Sequence, residues 1–443
     1  MMKPSQDSIQ GPGTDKHDDF GHDNEKYQHY DNAPEYEDPF GDEQFAEVKY
    51  RTLHWWQCGM IMIAETISLG ILSLPSAVAT LGMAPAVILI VGLGGLATYT
   101  GYVIGQFKLQ YPHVHSMADA GEVLLGALWA GAFRHILTFS VMMNTLTDHG
   151  TCSIVFGVVG LVVSFVFALP RTLRKVSWFS FASFASIVAA VLITMIAIAI
   201  QRPGKGQVDA TTKTNLANGF LAVTNIVFAY AGHVAFFGFI SEMQIPTDYP
   251  KTLYLLQGTD TSMYLVAAVV IYYYGGKDVK SPALSSTSSV TAKLAYGIAI
   301  PTIVIAGVIN GHVAAKYIYV RLFRGTDHMQ KRSLLSIGSW VAITFVLWVI
   351  AWIIAEAIPV FNNLLSLITA LFASWFTYGL SGIFWLFLNW GRYTLSWRKA
   401  SLTVLNLVIV GIGGCLCGMG LWVSGKAIHD GSSGASFSCA ASE

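Results

Sequence analysis

An ionisable side chain inside a long apolar run is costly to keep there, so it is a candidate for chemistry. Glu65 is such a residue. It lies in IMIAETISLGILSLPSA, about one helical turn before a stretch holding Ser68, Gly70, Ser73 and Pro75. Taking a carboxylate out of water is unfavourable, which suits a group that takes up and gives back a proton. An equal reading is a structural carboxylate bonded to backbone or to another helix. A second run, VTNIVFAYAGHVAFFGFISEM, is interrupted by Gly232 and Gly238, next to Tyr230 and His233. His233 is an alternative proton carrier; the plainer reading is a packing residue or a hydrogen-bonding partner for a broken helix. Asn310 either lines a cavity or bonds one helix to another. Glu242 and Glu356 stand near helix ends, where exposed or capping roles are expected, and Lys316 is expected to snorkel to the interface. Cys415 and Cys417 point to different sides of one helix, and the histidines lack zinc-type spacing. No metal or resident cofactor is therefore expected.

The elements that must position these groups are membrane helices. The chain has 443 residues, 53% hydrophobic and 12% charged, with a mean hydropathy of +0.53. Soluble domains carry about 25% charged residues. A bilayer core needs roughly 20 mainly apolar residues as helix. About eleven runs qualify on that basis: Trp56–Ala79, Ala84–Ile104, Ala127–Leu146, Cys152–Leu169, Trp178–Ile200, Gly219–Ile240, Thr261–Gly275, Leu294–Tyr319, Ile337–Ala355, Leu364–Phe387 and Leu402–Val423. Loop lysines and arginines are biased about two to one toward the side of the N-terminus, which predicts a cytoplasmic N-terminus and an external C-terminus. That topology puts Cys152 and Cys439 at the same outer face, either as a disulfide or as two free thiols.

Residues 1–50 are polar and hold about half of all Asp and Glu, which predicts a disordered acidic tail ahead of a membrane domain over 51–426. Lys3, Lys16 and Lys26 are candidate ubiquitination sites for trafficking machinery, and a solvated linker is the alternative. Residues 427–443 form a short external tail. No basic tract or nucleic-acid motif is present, so nucleic-acid binding has no basis.

The first and sixth spans open two successive sets of five helices, and both are interrupted. Transporters built from internal repeats bind substrate at such matched breaks. Lipid cannot satisfy freed backbone groups, so a broken stretch must face protein or a water-filled cavity. Close helix packing at small residues is the plainer account of each break taken singly. Freed N–H groups around Gly70 and Ile71, at a helix N-terminus, favour an anion. Freed carbonyls around Tyr230 and Ala231 accept from an ammonium group. Such a site suits a zwitterionic amino acid, and its chemistry also admits other small carboxylates.

The segments SLGILSLPSAVATLGM, YPHVHSMADAGEVLLG and FAYAGHVAFFGFISEMQIPTDYPK resemble the amino acid/auxin permease family. GTCSIVFG, the stretch from SPALSS to INGHVAAKY, and AWIIAEAIP look most like its fungal neutral amino acid permeases of the N-system type. The resemblance runs from about Leu53 to the end. It implies an all-α integral membrane fold of the LeuT/APC type. A five-plus-five inverted repeat, about 55–200 and 217–388, would be followed by an eleventh helix at about 402–423. It also implies proton-coupled symport of neutral amino acids, aliphatic or aromatic, with protons as the coupling ion. The plasma membrane is the expected location and the vacuolar membrane the alternative. By position, Ser68, Leu69, Gly70 and Ile71 would line the substrate carboxylate, with Tyr230, Ala231 and Gly232 opposite. Many relatives carry Gly-x-Gly where this chain has Ser68-Leu69-Gly70, which narrows the pocket slightly.

The third span departs from the resemblance. Between Gly126 and Thr138 it looks about 15 residues shorter than in similar permeases, about four turns of helix. Either the chain has degenerated there or a segment has been lost. A non-transporting amino acid receptor or a defective permease is therefore the alternative function. A membrane-embedded enzyme lacks support, since there are no paired catalytic carboxylates, no intramembrane His cluster and no nucleophile motif.

Overall fold

The structure is a computed structural model that describes residues 39–41, 43–120, 153–203, 208–357 and 361–430. The helices follow the apolar runs. They are α1 (Trp55–Leu81), α2 (Met83–Gln110), α3 (Ser153–Phe167), α4 (Leu173–Gln201) and α5 (Leu216–Ala229). Next come α6 (Phe236–Ser241), α7 (Tyr249–Gly275), α8 (Ser289–Phe323) and α9 (Leu334–Ala357). Last are α10 (Phe361–Ile368), a π-helical stretch Thr369–Gly379, α11 (Leu380–Leu388) and α12 (Trp397–Asp430). Among the described residues there is no strand, only an isolated bridge between Leu53 and Met243.

Eight of these helical stretches are long and apolar enough to cross a membrane, and bent α1 makes a ninth. The α3 helix is apolar but shorter. The expected third span, Ala127–Leu146, lies outside the described residues, as do Cys152, Cys439 and both terminal tails. Burial separates centre from periphery. In Leu216–Ser241, 72% of the apolar stretch is buried inside the protein, against 28% in α9 and α12. The outer helices instead expose Ile196, Val346 and Val408, side chains suited to lipid.

Local chemistry sets the ends. The Gln57 side chain accepts from His54 N at 3.1 Å before α1, and Asn215 caps α5 by accepting from Asn218 N at 2.7 Å. Gly82, at φ 89°, joins α1 to α2 in a conformation that favours glycine.

Three boundaries differ from the sequence reading. The seventh span begins at Tyr249, not Thr261, because Pro250 starts a helix that carries the polar QGTDTSMY stretch within it. Of those residues Gln257, Asp260 and Tyr264 turn toward protein, while the exposed Ser262 donates back to the Gly258 carbonyl of its own helix at 2.7 Å. Gly238 does not interrupt the sixth span but lies inside α6. Residues near the end of the expected tail are folded: Phe40 and Tyr50 are 2% exposed and stack at 4.7 Å.

The end of the bundle beneath that segment is held by paired charges. Arg171 donates to Tyr50 Oη and Tyr319 Oη, both at 2.9 Å, to Ser336 Oγ at 2.6 Å and to the Met329 carbonyl at 3.1 Å. Lys316 and Glu242 form a buried ion pair, and Glu242 also accepts from Leu173 N at 3.3 Å. Lys316 therefore does not snorkel and Glu242 is not exposed. Each is buried because the other neutralises it. Burial pushes the Tyr50 hydroxyl up to about 12. In the loop after α2, burial and then the Lys108 charge hold His115 well below the ordinary histidine value.

Candidate functional site at the crossing of a bent and an interrupted helix

The α1 helix bends by 46° between Trp55–Ile67 and Gly70–Leu81, so the bend passes through Ser68 and Leu69. Its backbone stays helical throughout. Gly70 and Pro75 account for a bend in place of a full break: glycine flexes, and proline removes one helical donor. Hydroxyls add bonds to neighbouring carbonyls of the same turns. Ser73 Oγ donates to the Gly70 carbonyl at 2.9 Å and Ser76 Oγ to the Ser73 carbonyl at 2.8 Å. The sixth span is interrupted outright. The α5 helix ends at Ala229, Tyr230–Gly232 form turns, and a short 3-10 stretch, His233–Ala235, leads into α6.

These two irregular places touch. A Cβ on Gly70 would lie 2.7 Å from Ala229 Cα, and one on Gly232 would lie 2.8 Å from Glu65 Oε2 and 2.7 Å from Thr66 Oγ1. Only glycine lets the backbones approach this closely. Tyr264 of α7 fastens the crossing, its hydroxyl lying 3.1 Å from the Thr66 carbonyl and 2.7 Å from the Ala229 carbonyl. Tyr230 is wholly buried and donates to the Ile90 carbonyl of α2 at 2.9 Å.

Of the residues singled out in the sequence, Glu65, Gly70, Tyr230 and Gly232 come together at this crossing, with Ile71 buried beside it. Ala231 sits in the turn between Tyr230 and Gly232. His233 lies one residue beyond the turn, but its ring faces α2. Its Nε2 donates to the Ala97 carbonyl at 2.9 Å and lies 3.1 Å from Thr100 Oγ1. Asn310, on α8, donates to the Ala306 carbonyl of its own helix at 3.0 Å.

Asp260 escaped the sequence reading. It is fully buried on α7, and among the described residues neither of its carboxylate oxygens has a hydrogen-bond partner. The signal was present. Gln257, Asp260 and Tyr264 are spaced three and four apart, as one helix face requires, and all three are buried. No group of three or more His, Cys, Asp or Glu that could hold a metal occurs among the described residues.

A bundle of apolar helices in which a bent first span crosses an interrupted sixth span, with buried carboxyl groups at the crossing, defines a multi-pass membrane transporter. The fold agrees with solved transporters. The chain superimposes on MhsT in complex with L-phenylalanine with a TM-score of 0.52 at 11% identity, covering 86% of this chain and 100% of that one. A mutant of the Eremococcus coleocola manganese transporter gives a TM-score of 0.56 at 14% identity, over 88% and 92% of the two chains. At such identities these likenesses concern the fold alone.

Sequence comparison narrows the class. Residues 51–425 match the profile of the transmembrane amino acid transporter protein family, and the chain belongs to that family. It is 37% identical to the N amino acid transport system protein of Neurospora crassa over 411 residues, 87% of either chain. It is 23% identical to the amino acid transporter AVT1H of Arabidopsis thaliana over 391 residues, 81% of this chain and 86% of that one.

Proposed function

We propose that this amino acid transporter is a secondary active one that carries neutral amino acids inward by proton symport. The observation that carries the reading is the contact of Glu65 Oε2 with Gly232 at the crossing. A carboxyl group that touches the irregular stretch of the sixth span is placed to sense whether that stretch holds substrate. In this reading Ser68, Leu69, Gly70 and Ile71 receive the substrate carboxylate. Tyr230, Ala231 and Gly232 receive its ammonium group, with Glu65 as the coupling residue. His233 is the lesser candidate, since its Nε2–H is already committed to the Ala97 carbonyl. Support for the substrate class comes from the Neurospora relative named as an N amino acid transport system protein. The lysine and arginine bias favours a cytoplasmic N-terminus, and the plasma membrane is the location proposed, with the vacuolar membrane as the alternative that imaging of a tagged chain decides.

Uptake of labelled neutral amino acids into permease-deficient cells tests the reading, at acidic and mildly alkaline pH, with and without a protonophore. Acid-stimulated, protonophore-sensitive uptake is expected. Folded, correctly localised protein that takes up nothing would sink it and leave an amino acid receptor in its place.

A further inference from the structure

The α1 and α7 helices run side by side in the same direction. Thr252 Oγ1 donates to the Trp55 carbonyl at 3.0 Å, and a Cβ on Gly59 would lie 2.8 Å from Leu255 Cδ2. Further along, Tyr264 Oη reaches the Thr66 carbonyl at 3.1 Å. This register brings Asp260, one turn before Tyr264 on the buried face of α7, level with the turn of α1 that carries Met62 to Glu65. Asp260 and Glu65 interact electrostatically.

Two details bear on the charge of this pair. Asp260 is 0% exposed, and among the described residues no donor reaches either of its oxygens. An ionised carboxylate there would bear the full cost of desolvation, so the neutral acid is the form that fits. Thr66 Oγ1 lies 2.8 Å from the Met62 carbonyl and 3.1 Å from Glu65 Oε2. The Met62 carbonyl can only accept, and a hydroxyl has one hydrogen. The Thr66 hydroxyl is therefore shared between the Met62 carbonyl and Glu65 Oε2, which leaves Glu65 with half of one donor from this side chain.

We propose that Asp260 and Glu65 together form one proton-binding site, loaded in this conformation, and that Asp260 is a second coupling residue of the transporter. The inference rests on the proton-symport reading above and adds a residue to it. Loading and unloading break and form only O–H bonds: the proton comes from water on one side of the membrane and leaves to water on the other. Among the described residues, other titratable groups stand on the elements around this place. Cys58 is on α1, Tyr230 and His233 are at the interruption, and Tyr249 and Tyr264 are on α7 itself. Along α2 lie Tyr99 and, far toward its end, Lys108, while the cations of α4, Arg174 and Lys175, are in its first turn. Among the described residues no donor reaches either oxygen of Asp260, which favours a bound proton there over a salt bridge.

The test uses the full chain in proteoliposomes, with labelled amino acid and an internal pH-sensitive dye. Asp260→Asn is expected to keep amino acid exchange but to lose acid stimulation and proton flux, by about tenfold, the equivalent of one unit of proton affinity. Asp260→Glu is expected to keep proton flux with a displaced pH profile. An Asp260→Asn protein with wild-type pH dependence overturns the proposal. Wild-type protein that exchanges amino acid without proton flux, or with sodium in its place, overturns the pair and leaves transport standing; wild-type protein that exchanges nothing overturns both. A buried substitution can also prevent folding, so the wild type is treated with dicyclohexylcarbodiimide, which attacks protonated carboxyls in apolar surroundings. Mass spectrometry is expected to find the adduct on Asp260 or Glu65, declining as pH rises. No adduct on either residue overturns the proposal.

Discussion

Two buried polar regions of this molecule are built by opposite rules. At the bundle end, Arg171 is met by Tyr50, Tyr319, Ser336 and backbone carbonyls, and Lys316 by Glu242. Every charge there has an opposite charge or several hydrogen bonds, as burial demands. At the helix crossing, Asp260 has no hydrogen-bond partner among the described residues and Glu65 shares a hydroxyl with a carbonyl. That end satisfies its charges, although among the described residues Arg171 Nε and both ring nitrogens of His312 go without a partner. A buried carboxyl left without a donor in the membrane interior, as Asp260 is among those residues, is kept for something that comes and goes.

That contrast can be broken experimentally. The largest effect is expected at the satisfied end. Lys316→Met strands Glu242 without its partner and should cost about 3–5 kcal/mol of stability, read as loss of monodisperse protein in detergent. Lys316→Met with Glu242→Leu should recover most of it; a double variant as unstable as the single one would contradict the pairing argument. Next comes Gly70→Val, whose Cβ would press on Ala229 Cα at 2.7 Å. Overpacking of this kind costs about 1–3 kcal/mol, and initial uptake rates normalised to surface protein should collapse. Wild-type uptake by this variant would show that the two interruptions need not touch. Tyr264→Phe removes one hydroxyl and should cost about 1 kcal/mol, with a slower maximal rate as its sharper signature. Smallest of all is Lys331→Ala, which breaks an exposed pair with Asp327; uptake and thermal stability should not change measurably.

The outline of the fold was legible because lipid imposes a simple rule on sequence. Long apolar runs gave the spans, and Gly, Pro and polar residues inside them marked Gly70 and Gly232. What stayed hidden depended on partners distant in sequence. Glu242 and Lys316 are 74 residues apart, so each looked like a solitary charge near a helix end. Asp260 stands one residue before the expected seventh span, Thr261–Gly275, and so is not weighed among the intramembrane charges. In the structure that stretch is helical, and Gln257, Asp260 and Tyr264 form its buried face.

The Tyr264 hydroxyl has a consequence for kinetics. It stands between two carbonyls, of Thr66 and of Ala229, with one hydrogen to give. Whichever carbonyl receives it, the other waits at contact distance. A shift of α5 against α1 can therefore hand the hydrogen across without breaking one bond fully before the next forms. Were the two helices to shift in this way, the shared hydroxyl would lower the activation barrier while keeping either position bonded. Removing the hydroxyl would leave the joint loose at rest and would also raise the barrier between its positions.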